Sequence, residues 1–314
     1  RLYSCSTVKG DPRIGASVRG LADQPILPRG YRLDIPTFEY GAPALVASLI
    51  RNDKHGFLES PSYAKSLAEN LIKNRCSGKK FVTITAREVA RDDKNKTRIL
   101  DFSIWKKAIE KLAEMGIKTF VIRDTSCANN RPLFEGAEEL PEASIHLPLR
   151  LALYEKALIN FTKNNGPGGL QLYSKARTVY FNGFDDDVVA LSRNWFLSNF
   201  GMNEGDQFPF TTRSKSCVWN DESENRIIKE VKNALNTETD NSLLNDFSNL
   251  ENIRASLAVG FRHLLVQLQY GLLGEDVTLF SRIKKLNNQY NIYDDFDQQL
   301  RALSGYHIDQ KVTE

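Results

Sequence analysis

Long apolar runs, paired cysteines and the common nucleotide-anchoring signatures are all missing from this chain of 314 residues. No stretch approaches the ~20 apolar residues a helix needs to cross a bilayer, and the amino-terminal end lacks the apolar core of a secretion signal. The four cysteines, Cys5, Cys76, Cys127 and Cys217, stand far apart without a CxxC spacing. That removes a zinc knuckle and a dense disulfide scaffold and points to a reducing compartment. There is no GxxxxGK[ST] loop, no GxSxG elbow and no strand-linked GxGxxG, so P-loop, α/β-hydrolase and ordinary dehydrogenase readings lose support. Net charge is only +3, too small to argue for a nucleic-acid partner. The absences together predict a cytoplasmic globular protein. The chain starts on Arg1 and not on Met, as a piece of a longer polypeptide would.

What is present suffices for a sizeable core: 41% of residues are hydrophobic against 26% charged, at a length that suits about two domains. Charge is uneven, with Arg75, Lys79, Lys80, Arg87, Arg91, Lys94, Lys96 and Arg98 facing only Glu88, Asp92 and Asp93 over residues 75–98. Residues 1–45 are rich in Pro, Gly and Arg and show no period, as expected of an arm wrapped over another surface. Helical spacing follows at 44–50 and 62–72.

From residue 81 onward, strand and helix signals alternate. FVTIT at 81–85 is a β-branched strand, 102–115 a helix stopped by Gly116, and 119–122 a buried strand ending in Arg123 and Asp124. A short apolar stretch at 144–147 is expected to be a third strand, and 149–161 a helix. A glycine turn at 165–169 opens a further helix, followed by a strand at 178–181, a helix at 187–200, a strand at 217–219 and a helix at 222–235. Alternation of this kind predicts an α/β fold, a doubly wound parallel sheet over 77–236, with its ligand at the carboxyl ends of the strands. The expected neighbours are an arm with short helices at 1–76 and, at 237–314, an acidic linker with helices at 253–273 and 277–303. Those last helices would pack back on the sheet or meet a partner, as a homo-oligomer or a second subunit.

Three loops should share the carboxyl edge: AREVARDD after the first strand, RDTSCANNR after the second, and NNGPGG. Arg87, Arg91 and Arg123 would offer forked guanidinium donors to phosphate oxygens, and the turn Asn165, Gly166, Pro167, Gly168, Gly169 would add backbone amides. The competing reading puts Arg87 and Arg123 into structural ion pairs with Glu88 and Asp124. Asp185, Asp186 and Asp187 precede a helix, where carboxylates cap and complement the dipole, so they are read as a helix start and no metal site is assigned. His146, the one histidine near the ligand edge, is read first as a hydrogen-bonded structural residue. The sequon at Asn160 falls in the expected helix and carries no weight.

The stretches FVTITAREV, WKKAIEKLAEMGIKTFVIRDT, LRLALYEKALINFTKNNGPGGLQLYSKA and QFPFTTRSKSCVW resemble bacterial glycosyltransferase-like proteins of surface-polysaccharide gene sets. More distantly they resemble the nucleotide-sugar half of GT-B glycosyltransferases of fucosyltransferase and heptosyltransferase type, over about residues 80–225. The resemblance implies a GT-B-like Rossmann domain with a reduced acceptor half, and transfer of a sugar from a nucleotide-sugar to a glycan or lipid-linked acceptor. It also implies no metal and no cofactor beyond the donor, and a location peripheral to the inner membrane. Arg87 and the turn at Asn165, Gly166, Gly168 and Gly169 match its diphosphate positions, with Arg91 and Arg123 beside them and Glu155 as a ribose partner. For a catalytic base, Glu88 and Asp92 are the expected residues, with Asp93 and Asp124 on the same edge. The alternatives are a nucleotide-sugar hydrolase or epimerase, and a non-catalytic assembly subunit.

Overall fold

The structure, a computed structural model, describes residues 58–88, 99–163, 165–186, 191–200, 202–208, 211–242 and 277–292, with single positions between 254 and 261. Two compact units divide the chain: Asn52–Ala258, and Arg1–Arg51 together with Val259–Glu314. The helix at 62–76, expected with the amino-terminal arm, falls within the larger unit. The arm at 1–45 and the helix at 44–50 lie outside the described residues. In the second unit a helix spans Val277–Tyr290, inside the expected 277–303, and buries Ile283 and Asn287.

In the larger unit, helix α1 (Ser62–Cys76) starts after Pro61 and ends where Ser77 and Gly78 take positive φ, 48° and 78°. Strand β1 (Phe81–Thr85) follows. Helix α2 (Phe102–Glu114) is capped by Asp101, whose carboxylate accepts the Ser103 and Ile104 amides, and it stops at Gly116 with φ 72°. Then come β2 (Lys118–Ile122), β3 (Glu138–Glu139), α3 (Pro141–Ile145), α4 (Leu147–Lys156) and β4 (Ile159–Thr162). The series ends with α5 (Gly168–Leu172), β5 (Thr178–Phe181), α6 (Arg193–Phe200), β6 (Lys215–Val218) and α7 (Glu224–Asn236).

All strand pairs are parallel, and the sheet order is β3-β2-β1-β4-β5-β6. The doubly wound parallel sheet is thus present, with its order reversing between β1 and β4. Each face carries its own core. Val82, Ile84, Phe161, Val179 and Phe181 lie under Trp105, Ile109 and Leu112 of α2 and Ile227 and Val231 of α7. On the other face, Phe81, Phe120 and Ile122 meet Ala64 and Ala68 of α1 and Leu149, Ala152 and Leu153 of α4. Each large side chain so buried contributes about 1.5–3 kcal/mol, which is why these strands read as continuous apolar runs. Among the described residues no helix is long and apolar enough to cross a membrane.

Three expectations need correction. The stretch 144–147 forms no strand; it is the junction of α3 and α4, where Pro141 starts one helix and His146 caps the next. A short apolar run suits a strand or a buried helix equally, so periodicity could not separate them. The third strand is instead the two-residue Glu138–Glu139, which carries no β-branched signal. Finally, the helix expected over 149–161 stops at Lys156, and Ile159–Thr162 is β4. Leu149, Leu151, Ala152, Leu153 and Tyr154 are all buried, so α4 has no polar face to mark its end. Asn160 accordingly sits in the sheet, fully buried, bonded to Thr83 Oγ1 and to the Tyr154 and Arg177 carbonyls, which bars a glycan there.

Candidate active site

Open α/β sheets bind ligands in the crevice beyond the strand ends where strand order reverses, here at β1 and β4. Thr85 and Thr162 are register partners at those two ends. Thr85 Oγ1 lies 2.7 Å from the Tyr154 hydroxyl and accepts Gln171 Nε2 at 2.8 Å. Thr162 Oγ1 accepts Asn165 Nδ2 at 3.0 Å. A polar floor therefore underlies the crevice, and Gln171 Oε1 is buried in it without a hydrogen bond.

Arg87 stands two residues beyond β1, half-buried, and makes no hydrogen bond or ion pair among the described residues. Asp124, two residues beyond β2, is likewise half-buried with an unpartnered carboxylate among the described residues. Both follow the register pair Thr85–Ile122 by the same step, so the fold brings a free cation and a free carboxylate to neighbouring strand ends.

Arg123 is different. It is 4% exposed, its Nε and Nη2 donate to the two oxygens of Glu88, and its Nη1 donates to Glu139 Oε2 at 2.8 Å and to the Arg131 carbonyl at 2.7 Å. The Glu88 hydrogen bonds hold its pKa above the usual guanidinium value despite burial, with Glu139 adding to them. The ion-pair reading thus applies to Arg123, through Glu88 and Glu139 and not through Asp124. A guanidinium withdrawn from water needs that compensation. Neither Arg123 nor Glu88 is left free for a phosphate or an acceptor proton. Arg91, Asp92 and Asp93 lie outside the described residues.

The glycine turn is occupied with itself. Asn165, 9% exposed, accepts the Gly168 amide on its side-chain oxygen at 2.8 Å, and the Gly169 amide donates to the Gly166 carbonyl at 3.1 Å. The amides expected to aim at an anion therefore close the first turn of α5, and the exposed Gly166 amide is left without a partner among the described residues. Gly168 has a packing reason to lack a side chain: an added Cβ would lie 2.9 Å from the Tyr180 hydroxyl, which donates to the Gly168 carbonyl. Glu155 is not brought to the crevice. It sits one residue before the end of α4, at the sheet's amino edge, and accepts the Ser60 amide at 3.0 Å and the Ser60 hydroxyl.

Sequence reasoning missed a second buried pair on the carboxyl edge. Lys163, directly after β4, donates to Glu222 Oε2 and to the Ile99 carbonyl, each at 2.6 Å, while Trp105 Nε1 donates to Glu222 Oε1 at 2.8 Å. Its only signal was a lysine at a strand end, hidden while that strand passed for helix. Asp186 accepts the amide of Arg193, the first residue of α6, at 2.9 Å and pairs with its side chain, so it acts as a cap; Asp187 lies outside the described residues. Among the described residues no three metal-ligating side chains converge. His146 accepts the Leu149 amide on Nδ1 at 3.0 Å and caps α4.

No protein-family model matches the chain, and no curated protein matches it. Among solved structures it is similar to the glycosyl transferase family 9 protein of Veillonella parvula, at 8% identity and a TM-score of 0.40 over 59% of this chain and 55% of that one. The E. coli ADP-heptose lps heptosyltransferase II is similar at 11% identity and TM-score 0.40, over 58% and 54%. The UDP-forming trehalose-phosphate synthase of Burkholderia vietnamiensis is similar at 10% and 0.35, over 83% and 51%. The chain spans about half the length of each. Likeness this low speaks to neither activity nor substrate.

Proposed function

We propose that the crevice at β1 and β4 holds the diphosphate of a nucleotide-sugar and that the protein is a metal-independent glycosyltransferase of GT-B type. The acceptor is a glycan or lipid-linked sugar of surface polysaccharide synthesis, met by an enzyme peripheral to the inner membrane and needing no cofactor beyond the donor. One observation carries the reading: Arg87, half-buried at the reversal of strand order, has no partner among the described residues. A guanidinium in that setting is matched by a phosphate oxygen pair. The sequence resemblance over residues 80–225 selects sugar transfer from the chemistries such a crevice serves.

In the proposed step the acceptor hydroxyl gives its proton to Asp124 as its oxygen bonds the anomeric carbon. The bond from that carbon to the diphosphate breaks, and Arg87, with the Gly166 amide of the loop after β4, takes the negative charge left on the diphosphate. Asp124 replaces Glu88 in this role because both Glu88 oxygens are held by Arg123. Release of nucleoside diphosphate from a panel of nucleotide-sugars, with and without acceptor, tests the reading. Arg87→Ala should lower release about 100-fold or more with an unchanged circular dichroism spectrum. An unchanged rate would remove Arg87 from the mechanism. The commitment of Glu88 to Arg123 favours a second reading, a non-catalytic nucleotide-binding subunit, which would bind nucleotides and release nothing.

A further inference from the structure

The opposite edge of the sheet carries a groove that the proposed function does not use. A recess of about 530 Å³ is lined by Lys73, Lys79, Lys80, Lys156 and one carboxylate, Glu69, around Ile72, Phe81 and Leu158. A second, of about 430 Å³, is lined by Arg177, Ala157, Leu235 and residues 236–239, Glu238 among them. The two share Lys80 and Leu158 and so form one groove. Lys80, Leu158 and Arg177 each stand immediately before a strand, β1, β4 and β5, so the groove crosses the amino ends of three neighbouring strands. With strands about 4.8 Å apart and flanks added, it spans on the order of 15 Å, the length of four or five extended residues.

The cations here are treated unequally. Arg75 pairs with Glu138 and Glu142, Lys118 with Glu138, Lys156 with Glu69 and Lys175 with Glu59. Lys73, Lys79 and Lys80, in the recess, meet no carboxylate among the described residues. Ser77 and Gly78, both at positive φ, turn the chain so that Lys79 and Lys80 reach the mouth. An apolar floor beneath unpaired lysines suits a ligand that alternates apolar and acidic groups. Nucleic acid fits poorly, since the only aromatic lining residue, Phe81, is 4% exposed and offers no face for a base. A flat bilayer does not enter a concave recess.

We infer that this groove docks an extended acidic segment of a partner protein, with its carboxylates on Lys73, Lys79 and Lys80 and its apolar side chains on Ile72 and Leu158. The groove lies a full strand length from the crevice, about 16 Å for five residues, so the two sites are independent. A fluorescein-labelled octapeptide alternating Glu and Leu, followed by anisotropy against the full chain at low salt, is the probe. Binding should weaken as salt rises, fall by about tenfold or more in K73E/K80E, stay unchanged in K106E/K107E, and resist excess nucleoside diphosphate. Absence of peptide binding would overturn the inference, as would equal loss in both double variants or competition by nucleotide. Lysine-dependent pelleting with phosphatidylserine vesicles without peptide binding would overturn it in favour of a membrane surface.

Discussion

At the carboxyl edge of the sheet Arg123 and Lys163, each 4% exposed, meet the carboxylates of Glu88, Glu139 and Glu222, whereas at the amino edge Lys73, Lys79 and Lys80 are exposed and meet none among the described residues. Burial is the difference. A charge taken from water costs several kcal/mol unless a partner is supplied, while an exposed lysine is already solvated. By that rule the informative residue is Arg87, which is half-buried and unpaired among the described residues, and which a ligand phosphate would complete.

The largest effect should come from breaking a buried pair. Lys163→Ala strands Glu222 beside Trp105 and should cost about 3–5 kcal/mol in chemical denaturation, whereas Lys80→Ala should leave the midpoint where it was. Equal effects at the two edges would undo the comparison. Next in size is Gly168→Ala, whose Cβ would press on Tyr180; forcing that contact should cost about 1–3 kcal/mol.

Lys215 sharpens the rule from the other side, being a buried amino-edge lysine, 4% exposed, bonded to the Ala176 carbonyl and facing no carboxylate among the described residues. Burial pulls its pKa down to about 7. Between that value and the usual lysine range the unfolded chain keeps a proton that the folded chain sheds, so this group makes stability rise with pH. The rise should appear from about pH 7 to 8.5, before the buried Cys217, whose thiol is pushed up by desolvation, begins to act in the opposite sense. Lys215→Met should flatten the profile, as measured by denaturation midpoints across that window. An unchanged slope would show that the lysine is paired or hydrated.

The sheet was legible in the sequence because strands buried on both faces read as unbroken apolar runs: 81–85 and 178–181 match β1 and β5 to the residue. Gly116 likewise marks the end of α2 by local chemistry. What escaped was set by tertiary context. A helix buried all round, α4, gave no period by which to see where β4 begins, and β3 is held as a strand only by pairing with β2. The three loops do follow the carboxyl ends of parallel strands, but sequence has no means of telling that Arg123 would be claimed by Glu88 and Glu139 while Arg87 meets no carboxylate among the described residues. The glycine turn showed the same limit, since Asn165 and Tyr180 decide what Gly168 is for.

Thermal unfolding of the full chain in millimolar ADP, GDP or UDP tests the central claim most directly, because a ligand that binds only the folded state raises the midpoint in proportion to its occupancy. At least one nucleotide should raise Tm by several degrees, with the shift lost in Arg87→Ala and retained in Lys80→Ala. No shift with any nucleotide, or an equal shift without the Arg87 guanidinium, would contradict the account.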